Sequence, residues 1–139
     1  MPCRLGINGF GRIGRMVLRR TLSLPDVEVV AINDLASLGD LAYLCKYDSV
    51  HGRFPGEVRH EGQTLWVNGK PIRYFAETEP AKIPWGMAGV DVVIEATGAF
   101  RDREAAAGHL KGGARKVLIS APSNNADLTL VPGGERRAL

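Results

Sequence analysis

Three glycines and one aspartate carry the chemistry that this chain announces. Gly9, Gly11 and Gly14 lie in Leu5-Gly6-Ile7-Asn8-Gly9-Phe10-Gly11-Arg12-Ile13-Gly14-Arg15, where a short apolar run breaks into glycines before a helical pattern begins. The spacing G-x-G-x-x-G suits a phosphate cradle. The first glycine turns the chain tightly, the second admits a pyrophosphate against the backbone, and the third lets helix and sheet touch. The N–H groups of Phe10 to Ile13 are expected to be unpaired and to face the phosphates, with the positive end of the helix dipole behind them. Alone, the pattern equally fits a glycine-rich turn that binds nothing, so the surroundings decide.

Those surroundings agree. A second strand, Val27-Glu28-Val29-Val30-Ala31-Ile32, runs into Asn33-Asp34, which puts Asp34 about 20 residues beyond Gly14. A carboxylate there accepts hydrogen bonds from the ribose hydroxyls of an adenosine. It repels a 2′-phosphate, and no Arg stands near to offset that repulsion, so the pattern predicts a site for NAD in preference to NADP. Without the glycines, Asp34 would read as a turn or helix-capping residue.

The elements that must position these residues follow from periodicity. A first helix is expected from about Phe10 to Leu22, with Gly14, Val17, Leu18 and Thr21 on one face. In Ser37 to Lys46, Leu38, Leu41, Ala42 and Cys45 recur at helical spacing, with Ser37 as N-cap and Asp40 three residues on. Tyr47 to Phe54 reads as a loop. Glu57 to Arg59, Thr64 to Val67 and Pro71 to Phe75 read as short strands, the last two joined by Asn68-Gly69, a strong two-residue hairpin signal. Val90 to Ala96 is a strand of buried type. Asp102 is expected to open a helix that Gly112-Gly113 ends, and Lys116 to Ile119 forms a further strand leading into Ser120-Ala121-Pro122. Strands alternating with helices predict an α/β fold: a Rossmann-type, doubly wound, mostly parallel sheet with a small antiparallel meander inserted.

Composition fits one water-soluble domain. The chain has 139 residues, is 45% hydrophobic and carries a net charge of +3 with its arginines dispersed, so neither a nucleic-acid footprint nor a membrane span is indicated. No secretory signal opens the sequence, and a cytoplasmic location is expected. Cys3 and Cys45 lack metal-ligand or C-x-x-C spacing, no metal site is expected, and Cys45 belongs to a core-facing stripe. None of the three histidines adjoins a nucleophile in a catalytic pattern; His60 and His109 read as surface residues.

Several stretches together resemble the amino-terminal half of phosphorylating glyceraldehyde-3-phosphate dehydrogenase. They are Gly6 to Arg15, Asn33-Asp34-Leu35, Lys46-Tyr47-Asp48-Ser49-Val50-His51-Gly52, Ala96-Thr97-Gly98 and Ser120-Ala121-Pro122-Ser123. The resemblance implies that Arg12 and Ile13 offer backbone N–H groups to the pyrophosphate of NAD, that Asp34, following Asn33, binds the adenine ribose, and that Phe100 packs near the adenine. It sets Thr97, Gly98 and Ser120 toward the nicotinamide half, and Thr78 at a mainly backbone contact where the family usually carries Arg or Lys. It also implies glycolytic oxidation of an aldehyde with hydride transfer to NAD. The family's nucleophilic cysteine and its histidine base lie in segments this sequence does not contain, so no catalytic residue is assigned and the chain alone is expected to be inactive.

The likeness covers residues 1–133, read as the NAD-binding domain. Residues 134–139, Gly134-Glu135-Arg136-Arg137-Ala138-Leu139, depart from it as a single inserted base would make them, so a frameshifted gene truncated before the catalytic domain is expected. Expected partners are NAD, the missing catalytic half or full-length subunits, and further copies of the chain. Two readings stay open. One is the cofactor half of this dehydrogenase or of the related erythrose-4-phosphate enzyme; the other is a non-catalytic dinucleotide-binding or interaction module.

Overall fold

A computed structural model describes residues 2–48, 52–53, 56–97, 103–120 and 128–131. The chain opens with β1 (Cys3–Asn8), α1 (Arg12–Thr21), β2 (Val27–Asn33) and α2 (Leu38–Lys46). Two short strands, β3 (Tyr47–Asp48) and β4 (Gly52–Arg53), precede β5 (Val58–Glu61), β6 (Thr64–Val67) and β7 (Lys70–Phe75). A 3-10 turn at Pro80–Lys82 leads to β8 (Val92–Glu95), α3 (Arg103–Lys111), β9 (Lys116–Ser120) and β10 (Leu128–Val131).

Eight strands form one sheet in the order β10-β9-β8-β1-β2-β7-β6-β5. β1 lies at its centre, parallel to both β2 and β8, and β8 is parallel to β9. Successive strands step outward from β1 in one direction and then in the other. The order therefore reverses between β1 and β8, and a crevice opens there beyond the carboxyl ends of the strands.

The meander is continuous with this sheet. β7 pairs parallel with β2 along Ala31 to Asn33 and antiparallel with β6, so it joins the two parts. Asn68 and Gly69 both take positive φ, 53° and 80°, which gives the two-residue turn its fit to strand twist. Two features go beyond the sequence reading. Tyr47–Asp48 and Gly52–Arg53 pair as a minimal antiparallel ladder where a loop was expected, and β10 pairs antiparallel with β9 at the sheet edge.

Each face of the sheet has its own core. On one, Ile7, Leu18, Ile32, Leu41, Leu65 and Ile72 pack with the buried sides of α1 and α2. On the other, Ala31, Ile83, Trp85, Val93 and Val117 form a second cluster on the side covered by α3. α2 starts as expected, with the Ser37 hydroxyl accepting from the Asp40 amide at 3.1 Å. The start of α3 at Asp102 lies outside the described residues, as do residues 134–139.

Candidate functional site

Gly9 turns the chain out of β1 with φ +96°, a conformation open mainly to glycine, and a Cβ there would come within 2.8 Å of the Thr97 amide nitrogen. Gly14 faces the same turn from α1, where a Cβ would collide with the Gly9 carbonyl oxygen. The two glycines press strand, turn and helix together. Gly11 differs: nothing lies within 4 Å of the position its Cβ would take, so the space beside it is open to a ligand.

Gly11 caps α1 in extended conformation without any side-chain hydrogen bond, and no acidic residue occupies the first helical turn. The first intrahelical bond runs from the Arg15 amide to the Gly11 carbonyl at 2.9 Å. The amides of Arg12, Ile13 and Gly14 thus have no acceptor within the helix, and the positive end of its dipole is left uncompensated.

The expectation that the Phe10 amide would be equally unspent is corrected. It donates to Asp34 Oδ2 at 2.6 Å, and the Phe10 side chain is only 1% exposed in the core. The reason is geometric: the turn at Gly9 carries the Phe10 N–H over the end of β2, where Asp34 begins. Asp34 Oδ1 accepts from the Ala36 amide at 2.9 Å. Each carboxylate oxygen keeps acceptor capacity after these bonds, so Asp34 can brace the glycine turn and still receive a ribose diol.

A cleft of about 420 Å³ opens over this turn. Of the residues expected at the site, Gly9, Gly11, Asn33, Asp34, Thr78 and Thr97 line it, and Glu77, Pro80 and Ile83 add a wall the sequence did not announce. Leu35, 66% exposed, stands at its rim. Exposed Arg12, half-buried Ile13 and buried Gly14 follow Gly11 in the first turn of α1, and neither they nor Phe10 are among the lining residues. Ser120 ends β9 at 5% exposure and is not among the lining residues. Gly98 and Phe100 lie outside the described residues.

Beneath the cleft runs a chain of buried polar groups. Asn33 donates to Asn8 Oδ1 at 2.8 Å, and Asn8 donates to Glu95 Oε1 at 2.7 Å. His109 Nε2 meets the same Glu95 oxygen at 2.7 Å, while Trp85 Nε1 donates to His109 Nδ1 at 3.0 Å. Glu95 Oε2 accepts from both the Thr97 amide, 3.0 Å, and the Thr97 hydroxyl, 2.5 Å. Burial by itself would raise the Glu95 carboxyl, but the hydrogen bonds from His109, Thr97 and Asn8 outweigh it and hold the group below its ordinary value.

His109 is therefore corrected from a surface residue to one with 0% exposure. Its position near the end of α3 turns it under the sheet, where Trp85 and Glu95 satisfy both ring nitrogens. No simple periodicity reveals this. The available signal was Glu95 itself, a charge closing the apolar run Val92-Val93-Ile94, because a carboxylate in a buried strand requires donors.

Neither cysteine lines the cleft. Cys45 is 2% exposed in the core, and burial followed by the Asp91 charge raises the Cys3 thiol. Among the described residues, no group of three or more His, Cys, Asp or Glu side chains could hold a metal.

The sequence matches, over residues 3–103, the family described as "Glyceraldehyde 3-phosphate dehydrogenase, NAD binding domain". Among curated relatives, the glyceraldehyde-3-phosphate dehydrogenase of Geobacillus stearothermophilus is 56% identical over 133 residues, 96% of this chain and 40% of the relative. Glyceraldehyde-3-phosphate dehydrogenase 1 of Bacillus subtilis is 55% identical over the same share of each chain. The Thermotoga maritima enzyme is 55% identical over 132 residues, 94% of this chain and 40% of its own. The chain thus spans about two-fifths of the length of these relatives. With its glycine turn, parallel sheet and acidic end to β2, the chain belongs to the glyceraldehyde 3-phosphate dehydrogenase family and corresponds to that family's NAD binding domain.

Proposed function

We propose that this chain holds NAD as the amino-terminal half of a phosphorylating glyceraldehyde-3-phosphate dehydrogenase, with residues 1–133 as the nucleotide domain. The observation that carries the reading is the convergence of three features on one cleft. These are the open space at Gly11, the uncapped start of α1 and the Asp34 carboxylate at the end of β2. The pyrophosphate would take the Arg12 and Ile13 amides, and the adenine ribose would take Asp34. Thr97 and Thr78 would bound the site from opposite sides, and Gly98, Phe100 and Ser120 complete the proposed set. When bound, NAD supplies the hydride acceptor; the chain's own residues bind and orient it.

In this proposal the chain supplies no catalytic group. The complementary half of the enzyme, with its cysteine and histidine, is the expected partner, and association with further copies belongs to the same reading. The proposed location is the cytoplasm. Among the described residues no helix is long and apolar enough to cross a membrane.

Calorimetric titration with NAD and NADP tests the reading. Binding of NAD, weaker binding of NADP and no oxidation of glyceraldehyde-3-phosphate are expected from the chain alone. Turnover that survives Cys3→Ser but disappears in Cys45→Ser would overturn the inactive assignment. Failure to bind either nucleotide would overturn the whole proposal.

A further inference from the structure

The buried network beneath the cleft reaches an exposed residue of the cleft at Thr97. Glu95 is 1% exposed, yet one of its oxygens receives both the amide and the hydroxyl of Thr97, which is exposed and lines the cleft. The other oxygen is held from behind by Asn8 and His109. We propose that Glu95 is a positioning residue for the second half of the dinucleotide. It is a buried carboxylate that fixes Thr97 at the β8 side of the cleft while Asp34 serves the adenosine at the β2 side. The proposal rests on the NAD reading above and goes beyond it by assigning a role to a residue that cannot touch the ligand.

Topology defines the two sides. A dinucleotide lies across the crevice at which strand order reverses, with its pyrophosphate at the start of the first helix. Asp34 follows β2 on one flank of β1, and Thr97 follows β8 on the other. The half of the ligand beyond the pyrophosphate therefore passes over Thr97. Thr97 also touches the glycine turn, because its amide nitrogen and methyl carbon are each 2.8 Å from where a Cβ on Gly9 would stand. A shift of Thr97 would close on that turn or open away from it.

The network also has a defined sense. An indole N–H only donates, so His109 Nδ1 accepts from Trp85 and carries no proton. The ring proton then sits on Nε2 and donates to Glu95 Oε1. Glu95 consequently receives four donors, from His109, Asn8 and twice from Thr97, which is the arrangement of an ionised carboxylate. A neutral amide at this position cannot receive all four. With its oxygen kept toward Asn8 and His109, its N–H₂ meets the Thr97 amide head-on. Turned over, it faces two donors and loses both bonds. The first orientation sacrifices less, so Glu95→Gln acts selectively on Thr97.

The experiment measures NAD and AMP affinity by calorimetry for the 139-residue chain, Glu95→Gln, Thr97→Val, Thr97→Ser and the Glu95→Gln/Thr97→Val double variant. Nitrogen-15 NMR of His109 accompanies it. NAD affinity is expected to fall about tenfold in Glu95→Gln, the loss of one charge-assisted hydrogen bond, with AMP affinity kept within about twofold. Thr97→Val should weaken NAD in the same selective way, Thr97→Ser, which restores the hydroxyl, should lose less than Thr97→Val, and the double variant should lose no more than the worse single one. The His109 spectrum should show a bare Nδ1 and a protonated Nε2 in the unmodified chain.

Equal loss of NAD and AMP, additive losses in the double variant, or a protonated Nδ1 would each overturn the assignment. Should Glu95→Gln fail to fold, Thr97→Val, at an exposed position, still decides: unchanged NAD affinity there overturns it. If the unmodified chain binds no NAD, the nucleotide reading falls and this assignment with it. Normal binding that neither substitution alters removes the assignment alone.

Discussion

The Phe10 amide donates to Asp34 Oδ2 across 2.6 Å, so the carboxylate that should select the cofactor also braces the turn that should cradle it. Asp34→Ala is expected to weaken NAD binding about tenfold or more and to narrow the NAD–NADP gap, since both the ribose acceptor and the repulsive charge are gone. It should also lower the unfolding midpoint, because a part-buried N–H loses its partner. Calorimetry and thermal unfolding on the same variant measure both. Unchanged affinity for the two cofactors would remove Asp34 from the site.

Two glycines of one motif should respond to the same substitution in opposite ways. Gly14→Ala forces a methyl group against the Gly9 carbonyl and is expected to cost about 1–3 kcal/mol of stability. Gly11→Ala meets nothing in the protein, so its midpoint should hold or rise slightly, while NAD affinity drops because the methyl group occupies space meant for the pyrophosphate. Urea unfolding paired with NAD titration separates the two outcomes.

Glu95 predicts an acid limb in the stability profile. Its carboxyl titrates lower in the folded chain than in the unfolded one, so its contribution is complete above the unfolded value of about 4.3 and is lost as pH falls through the folded value. Unfolding free energy measured from pH 7 down to pH 3 should decline below about pH 4. In Glu95→Gln that part of the decline should flatten around a lower plateau. A variant with the same acid slope as the unmodified chain would mean that other carboxylates set it.

Trp85 packs against Gly6 and closes one end of the polar network, so Trp85→Phe should do more than leave a cavity. Removing the indole N–H leaves the buried His109 Nδ1 without its donor. Destabilisation of about 2–4 kcal/mol is expected, from the lost indole volume and a buried acceptor left without its donor. Urea unfolding of the variant beside the unmodified chain measures it.

What the sequence made legible was local or rhythmic. Ser37 and Asp40 sit three apart and form their cap, Asn68-Gly69 forms its turn, and Gly14, Leu18 and Thr21 bury one side of α1. Gly9, Gly11 and Asp34, which spacing and the flanking strand pattern single out, line one cleft. The network was hidden because its members are ordinary residues on separate elements. Glu95 and His109 are 14 positions apart, and Trp85 and His109 are 24 apart. Only the folded sheet brings them together. The Phe10 bond is illegible for a different reason: a backbone amide carries no sequence signature, and its partner lies 24 positions on.

One loop residue reports on the whole centre of the molecule. Glu77 lies outside every strand, yet its amide donates to Asn33 Oδ1 at 2.8 Å and its carbonyl accepts from Asn33 Nδ2 at 3.0 Å. A side-chain amide thereby imitates one rung of a ladder and hooks the segment after β7 to the end of β2. Deuterium should enter the Glu77 amide only when that rung opens, and opening it exposes an asparagine at 3% accessibility that is itself tied to Asn8. Slow exchange at this isolated position would time the loosening of the sheet centre from a site that sequence alone marks as mere connection.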